Sequence, residues 1–144
     1  MKVVIALGSN LGDRTATLDS AVASLRKIID VEKVSTYIET APVGGPAQPD
    51  YLNAVLMGES ELEPIQLLFA MQEIELLAGR ERIERWGART LDLDLIVAGD
   101  TEMDTELLTL PHPRAHERRF VLDPWLEIDP GAFLPGKGEV RLLP

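Results

Sequence analysis

The chain has 144 residues, a usual length for one domain, and 45% of them are hydrophobic, so it can bury a core of its own. It contains no cysteine, which excludes a disulfide framework, a thiolate zinc site and a cysteine nucleophile. The formal charge of −10 argues against a general nucleic-acid-binding protein, because phosphate backbones need a basic surface. The longest early apolar run, at 3–7, is too short for a signal-peptide core or a membrane span. We therefore expect one domain over residues 1–144 of a cytoplasmic protein.

Hydrophobic periodicity and turn residues predict six elements in the order β-α-β-β-α-β. They are a strand at 3–7, a helix at 15–29, strands at 31–40 and 51–59, a helix at 61–78 and a strand at 91–97. Pro64 suits the first turn of the second helix, and Gly79 suits the position after its end. This order predicts an α+β, ferredoxin-like antiparallel sheet with both helices on one face. Additions follow at the C-terminal end, with a turn at 111–113 and a short helix within 115–128, and the other face is left for a ligand or for this segment.

Two aspartates in the last predicted strand give the strongest local signal. Side chains alternate along a strand, so Asp92 and Asp94 share one face while the leucines between and around them share the other. Aspartate is a poor strand residue, and two neighbouring carboxylates repel each other. A divalent cation removes that repulsion, and Mg²⁺ takes one or two carboxylates and keeps other positions for water and phosphate. The pattern indicates a magnesium site, and an exposed acidic face on an edge strand remains the alternative.

Arginines cluster just before that strand. The stretch 80–89 carries four arginines against two glutamates, a local charge of +2 in an acidic chain. Arginine's planar guanidinium suits bidentate phosphate binding, so the cluster favours a phosphate site beside the aspartates. A solvated loop with internal glutamate–arginine pairs is the alternative.

A second basic cluster follows a Pro-His-Pro turn at 111–113. Three arginines against Glu117 give +2 within 111–120. His112 and His116 are four residues apart, as in some zinc sites, but Pro113 disfavours a continuous helix through both. We interpret His112 as a phosphate contact, with a turn-capping histidine as the alternative.

The strand at 51–59 begins with Tyr51-Leu52-Asn53-Ala54. Tyr51 and Asn53 lie on one face, whereas Leu52 and Ala54 are expected in the core. An aromatic ring beside an amide is suited to hold a flat heterocycle, because the ring stacks and the amide binds a polar edge. An ordinary strand start is the simpler interpretation of the same residues.

These blocks, in this order, resemble the 6-hydroxymethyl-7,8-dihydropterin pyrophosphokinases of the folate pathway. The resemblance runs from about residue 4 to about residue 130. Its motifs are Leu7-Gly8-Ser9-Asn10-Leu11-Gly12-Asp13, Tyr51-Leu52-Asn53-Ala54, Arg85-Trp86-Gly87-Ala88-Arg89-Thr90-Leu91-Asp92-Leu93-Asp94 and Leu110-Pro111-His112-Pro113-Arg114.

The resemblance implies transfer of pyrophosphate from ATP to the hydroxymethyl group of the dihydropterin, with release of AMP and with two Mg²⁺ ions held by Asp92 and Asp94. The implied catalytic residues are Arg80, Arg82, Arg89, Asp92 and Asp94. The implied ATP contacts are Gln72, Glu75, Arg80, Arg82, Trp86, Arg89, Thr109, His112 and Arg118. The implied pterin contacts are Thr40, Pro42, Val43, Tyr51, Asn53, Trp86 and Phe120, with Tyr51 and Phe120 on either side of the ring.

Two other function classes remain open at this point. Another magnesium-dependent nucleotidyl transferase on a ferredoxin-like sheet would release pyrophosphate rather than AMP. A non-catalytic ligand-binding domain of the same shape would need no metal face, so the paired aspartates beside four arginines argue against it. We expect a monomer that binds small-molecule substrates, with no nucleic-acid or membrane partner.

Overall fold

A computed structural model describes residues 1–42, 47–79 and 90–144. Its strands and helices are β1 (Lys2–Ser9), α1 (Arg14–Leu25), β2 (Asp30–Val34), β3 (Ile38–Thr40), β4 (Tyr51–Glu59), α2 (Pro64–Leu77), β5 (Asp92–Ala98), β6 (Met103–Asp104), β7 (Thr109–Leu110), α3 (Arg119–Ile128), β8 (Phe133–Leu134) and β9 (Gly138–Glu139). Short 3₁₀ turns lie at Ala115–Glu117 and Val140–Leu142.

The main sheet has the strand order β2-β4-β1-β5, and β3 also pairs with β4. Every neighbouring pair is antiparallel. The predicted combination of an antiparallel sheet with helices is therefore confirmed. The hairpins β6–β7 and β8–β9 were not predicted, because two-residue strands leave no periodic pattern in the sequence.

Side chains of the central strand β1 divide between two hydrophobic cores. Val3, Ile5 and Leu7 face a core that contains the buried residues of α1 and α2. Val4 points to the opposite face, where it joins a second core built around α3. The sheet thus has helices on both faces, and the C-terminal helix covers the face that the sequence left for a ligand or for this segment.

The prediction of one strand over 31–40 is wrong. The chain forms two strands there, β2 and β3, with an interruption between them. Ser35 lies at the interruption and uses its side chain in place of a regular strand pair. Its amide donates to the Val55 carbonyl at 2.9 Å, and its hydroxyl oxygen accepts the Val55 amide, also at 2.9 Å. β2 and β3 consequently pair with opposite ends of β4.

The ends of α1 and α2 differ from those predicted from hydrophobic periodicity, because capping residues determine where the helices begin. α1 begins after Asp13, whose carboxylate accepts the Ala16 amide at 3.0 Å, and it ends at Leu25 rather than at residue 29. α2 begins at Pro64 rather than at residue 61, after a capping box formed by Glu63. Gly79 follows its end with φ +75°, in agreement with the prediction.

α3 is held across the sheet by polar contacts at its C-terminal end. Lys33 on β2 donates its ammonium to the Ile128 carbonyl at 3.0 Å. Glu127 accepts two hydrogen bonds from Thr36, one from the amide at 2.8 Å and one from the hydroxyl at 2.6 Å, and these bonds lower the pKa of the carboxyl.

Across residues 1–42, 47–79 and 90–144, no helix combines the length and the apolar character needed to cross a membrane.

Tyr37 joins the β2–β3 connection to α1 by donating its hydroxyl to Asp19 Oδ1 at 2.6 Å. Burial of the ring, together with the hydrogen bond to Asp19 and its charge, raises the pKa of Tyr37 to about 12. The phenol of the unfolded chain ionises near pH 10. Between these two values the unfolded state binds fewer protons, so this contribution to stability is present below about pH 10 and is lost as the pH rises towards 12.

We predict that Tyr37→Phe makes the free energy of unfolding less dependent on pH in the alkaline range. Urea denaturation of the wild type and the variant between about pH 8 and pH 11 measures the difference. The wild type should lose stability more steeply above about pH 10. Parallel curves would show that the phenol of the folded protein titrates normally.

Candidate active site

One row of residues crosses the sheet on the face that also carries α3. Gly8 on β1 pairs with Asn53 on β4 and, on its other side, with Asp92 on β5. Ala6 occupies the next place on this face of β1 and pairs with Asp94. Adjacent strands are about 4.8 Å apart, so roughly 10 Å of backbone with little or no side chain separates β4 from β5.

The bare position at Gly8 shapes this row. A Cβ atom there would lie 3.0 Å from Asn53 Oδ1 and 3.4 Å from Tyr51 Cδ1. The Tyr51 ring therefore leans across β1 toward the glycine, and the amide of Asn53 occupies the remaining space. A Cβ atom at position 8 would push on the Asn53 amide and would be in ordinary contact with the Tyr51 ring.

Asp92 and Asp94 share this face, as their alternation predicted, and both are partly exposed. Two residues along a strand separate their Cα atoms by about 6.5 Å. Within the part of the chain that the structure describes, no group of three histidine, aspartate or glutamate side chains is arranged to hold a metal ion. A carboxylate pair on an accessible face fits Mg²⁺, which fills its remaining positions with water and phosphate oxygens.

Among the residues with implied pterin contacts, those that the structure describes lie on β3, just after it, on β4 and at the start of α3. Thr40 pairs with Tyr51, and the Asn53 amide donates a hydrogen bond to the Thr40 hydroxyl. Leu52 and Ala54 lie in the first core, as predicted, and Asn53 is itself only 7% exposed. Phe120 packs at the edge of the second core, on the same sheet face, and the Arg118 guanidinium lies 5.6 Å from its ring centroid. Pro42, partly exposed, ends the first described range.

Among the residues with implied ATP contacts, those that the structure describes lie around the outer edge of β5, the terminal strand of the sheet. Glu75 on α2 is 6% exposed, and its carboxylate accepts the Leu93 amide at 2.9 Å. Leu93 lies between the two aspartates, so this bond fixes the backbone that carries them. Gln72, three residues earlier on α2, is exposed.

The Pro-His-Pro turn lies against the same edge. The His112 amide donates to the Ile96 carbonyl at 2.9 Å, which fixes the turn to β5. His112 Nδ1 accepts the Arg114 amide at 3.2 Å, so the neutral imidazole carries its proton on Nε2. Burial lowers the pKa of His112, while the charge of Asp94 raises it and those of Arg118 and Arg114 lower it further. His112 thus presents a neutral N–H donor in the neighbourhood of Asp94.

Thr109 on β7 donates its hydroxyl to Asp104 Oδ1 at 3.1 Å and is partly exposed. Five of the predicted site residues lie outside the residues that the structure describes: Val43, Arg80, Arg82, Trp86 and Arg89. Their roles stay predictions from the sequence.

A separate cavity lies elsewhere in the molecule. It has a volume of about 430 Å³ and opens between α1 and α2, with residues 90–91 at one end. Of the predicted site residues that the structure describes, none lines it. On the sheet face around Gly8, Gly8 itself is buried and Asn53 is 7% exposed, whereas Asp92 and Asp94 are partly exposed.

On this face an aromatic ring and an amide lie on one side of Gly8 and two carboxylates lie on the other, an arrangement typical of an enzyme rather than of a structural protein. Residues 4–130 match the family model described as 7,8-dihydro-6-hydroxymethylpterin-pyrophosphokinase. The chain belongs to this family of diphosphotransferases.

The relatives agree with this membership. The chain is 42% identical over 133 residues to the 2-amino-4-hydroxy-6-hydroxymethyldihydropteridine pyrophosphokinase of Haemophilus influenzae, covering 91% of this chain and 83% of the relative. It is 47% identical over 126 residues to the Bacillus subtilis protein of the same description, covering 86% and 75%. A Lactococcus lactis relative, 44% identical, is described as the bifunctional protein FolKE, and the match covers 86% of this chain but 36% of that one.

Among solved structures, the chain resembles a Plasmodium falciparum HPPK-DHPS crystal structure with a TM-score of 0.76 at 13% identity. The match covers 99% of this chain and 43% of that one, so the chain spans less than half of the Plasmodium protein. At this identity the likeness shows the fold alone.

We predict that Gly8→Ala raises the KM for the pterin roughly tenfold, because the new Cβ displaces the Asn53 amide and occupies the space beside the Tyr51 ring. Steady-state kinetics with each substrate varied in turn measures the effect. Gly131→Ala is the matched control, since its Cβ would meet Asp129 Oδ1 at an ordinary 3.7 Å. A Gly8→Ala enzyme with the wild-type KM would show that nothing binds against this position.

Proposed function

We propose that the protein transfers the terminal pyrophosphoryl group of ATP to the hydroxymethyl oxygen of 6-hydroxymethyl-7,8-dihydropterin, a step of folate biosynthesis that releases AMP. Membership of the pyrophosphokinase family supports the reaction. The observation that carries the assignment of residues is the row Asn53–Gly8–Asp92, which puts an amide for a heterocycle and a carboxylate for a metal on either side of bare backbone.

The reaction forms one bond and breaks one. The hydroxymethyl oxygen attacks the β-phosphorus of ATP, and the bond from that phosphorus to the oxygen bridging the α and β phosphates breaks. The hydroxyl loses its proton, and AMP leaves. Such a transfer asks the protein mainly to position two substrates and to stabilise charge on the phosphoryl oxygens.

The β3–β4 side of the face is proposed to hold the pterin. The ring would lie between Tyr51 and Phe120, and Asn53 would bind its polar edge. The Asn53 amide nitrogen donates a hydrogen bond to the Thr40 hydroxyl, and this bond fixes the orientation of the amide. The amide oxygen consequently faces Gly8. Aromatic rings stack on flat heterocycles with little loss of side-chain freedom, which suits this pair for the task.

The outer edge of β5 is proposed to hold the nucleotide. His112 would donate its Nε2 proton to a phosphate oxygen, and its lowered pKa keeps it in the neutral donor form. Arg118 would supply positive charge from the start of α3. The sequence adds Arg80, Arg82 and Arg89 as further cations for the triphosphate, with Gln72, Glu75, Trp86 and Thr109 around the nucleotide.

Asp92 and Asp94 are the proposed metal ligands, and two Mg²⁺ ions are the proposed complement. Bound magnesium would neutralise the phosphate oxygens and lower the pKa of the attacking hydroxyl. The protein provides two carboxylates on one face of β5. The hydrogen bond from the Leu93 amide to Glu75 fixes the backbone between them.

The strand order β2-β4-β1-β5, with α1 and α2 packed on one face, supports classification of residues 1–98 as a ferredoxin-like sheet. We further propose that residues from 99 onward are additions to that sheet, within one pyrophosphokinase domain over 1–144. A monomer in the cytoplasm, without nucleic-acid partners, stays a prediction from the sequence.

We predict that Asp94→Asn lowers the rate of AMP formation about a thousandfold or more at saturating Mg²⁺, because a neutral amide is a much weaker magnesium ligand than a carboxylate and carries no charge to balance the ion. Chromatographic detection of AMP and of the pyrophosphorylated pterin measures the rate. Asp100→Asn is the matched control, since it makes the same chemical change at an exposed turn just beyond β5.

Thermal unfolding of both variants shows that the fold is retained. An Asp94→Asn enzyme with nearly unchanged activity would overturn the metal assignment. Release of pyrophosphate instead of AMP by the wild type would identify a nucleotidyl transferase and overturn the proposed reaction.

A further inference from the structure

Asn10 lies in the connection between β1 and α1 and is only 1% exposed. Its amide nitrogen donates two hydrogen bonds, to Gln48 Oε1 at 2.8 Å and to the Pro49 carbonyl at 3.0 Å. Buried amides are stable only when their hydrogen bonds are made, and here both are made to one distant segment of the chain. Asn10 therefore fastens residues 48–49 to the end of the central strand.

The fastened segment leads directly into β4. Tyr51, the first residue of β4, follows Pro49 by two positions, and Asn53 follows by four. β1 pairs with β4 as far as Leu52, and β3 pairs with it as far as Tyr51, so residues 48–50 lie beyond both ladders. Ten residues, 41–50, connect the two strands.

Arg14, the first residue of α1, makes a second set of contacts at the same place. One guanidinium nitrogen donates to the Asp50 carbonyl at 3.0 Å, and the other pairs with Glu39 on β3 at 2.5 Å. Side chains at the β1–α1 connection and at the start of α1 thus hold the end of β3 and the residues just before β4 together. None of these contacts involves β5 or the Pro-His-Pro turn.

We propose that Asn10 is a positioning residue for the pterin half of the site: it acts through residues 48–49 to set where β4 presents Tyr51 and Asn53. The proposal rests on the proposed function, because it assumes that these two side chains bind the pterin. Asn10 is too deeply buried, at 1% exposure, to be offered to either substrate, and the proposed nucleotide side of the sheet lies two strands away from β4. Loss of the Asn10 hydrogen bonds should therefore weaken binding of the pterin and leave binding of MgATP unchanged.

The test compares Asn10→Asp, Asn10→Ala and Gln48→Ala with the wild type. In Asn10→Asp a carboxylate faces the Pro49 carbonyl, and both groups are acceptors, so the contact becomes repulsive. We expect its KM and dissociation constant for hydroxymethyldihydropterin to rise about tenfold or more, with the dissociation constant of MgATP within about twofold of wild type. Fluorescence titration of the pterin and calorimetric titration of MgATP give the two constants.

Asp50→Asn is the matched control, because Arg14 contacts the main-chain carbonyl of Asp50 and the variant retains it. Its pterin constants should equal those of the wild type. Gln48→Ala removes one acceptor at a partly exposed position, so it tests the contact in a variant with little risk to folding. If Asn10 and Gln48 act through their shared bond, Asn10→Ala combined with Gln48→Ala raises the pterin constants no more than Asn10→Ala does alone.

Equal weakening of both substrates, or a lower melting temperature with unchanged pterin binding, would overturn the proposal, since either result means that Asn10 supports the fold in general. Failure of the wild type to bind the pterin or to form AMP would instead overturn the proposed function. The two failures are therefore distinguished within one set of measurements.

Discussion

The absence of a side chain at position 8 is the constraint on which the site depends. Gly8 lies on the central strand, between the strand that carries Asn53 and the strand that carries Asp92. In the proposed site, the two substrates would meet over the strand that separates the residues proposed to bind them. A glycine at that place lets both approach the backbone, whereas a methyl group would already lie 3.0 Å from the Asn53 oxygen.

The position of α3 determines how much of this face remains open. Its apolar residues cover Val4, Val55 and Ile96, and its N-terminal end brings Arg118 and Phe120 toward the polar half. Contacts from Lys33 and Thr36 hold the opposite end of the helix. The same helix thus closes the second core and contributes one residue to each proposed half of the site. The packing of α3 on the sheet therefore sets the positions of Arg118 and Phe120.

Sequence reasoning succeeded where a residue's direction follows from a strand's alternation. The shared face of Asp92 and Asp94 and the inward direction of Leu52 and Ala54 needed no knowledge of neighbouring strands. The bounds of β4 at 51–59 were also predicted, because apolar residues fill that strand on both faces. The interruption at Ser35 was missed, since it depends on a hydroxyl that bonds to β4 rather than on a local breaker.

Contacts between distant segments account for most of what could not be predicted. Asn10 and Glu75 are ordinary polar residues in the sequence, yet the fold buries both and uses them to fix residues 48–49 and the backbone at Leu93. The N-terminal cap of α1, formed by the Asp13 carboxylate and the Ala16 amide, was not predicted from the sequence either. The roles of Arg80, Arg82, Arg89, Trp86 and Val43 rest on the resemblance to the family.

A crystal structure of the protein with hydroxymethyldihydropterin, Mg²⁺ and a non-hydrolysable ATP analogue tests the central claim most directly. The account predicts the pterin ring between Tyr51 and Phe120, its hydroxymethyl oxygen above Gly8, and the phosphate chain beside Asp92 and Asp94 along the outer edge of β5. Electron density for either substrate in the cavity between α1 and α2, with the face around Gly8 empty, would contradict it.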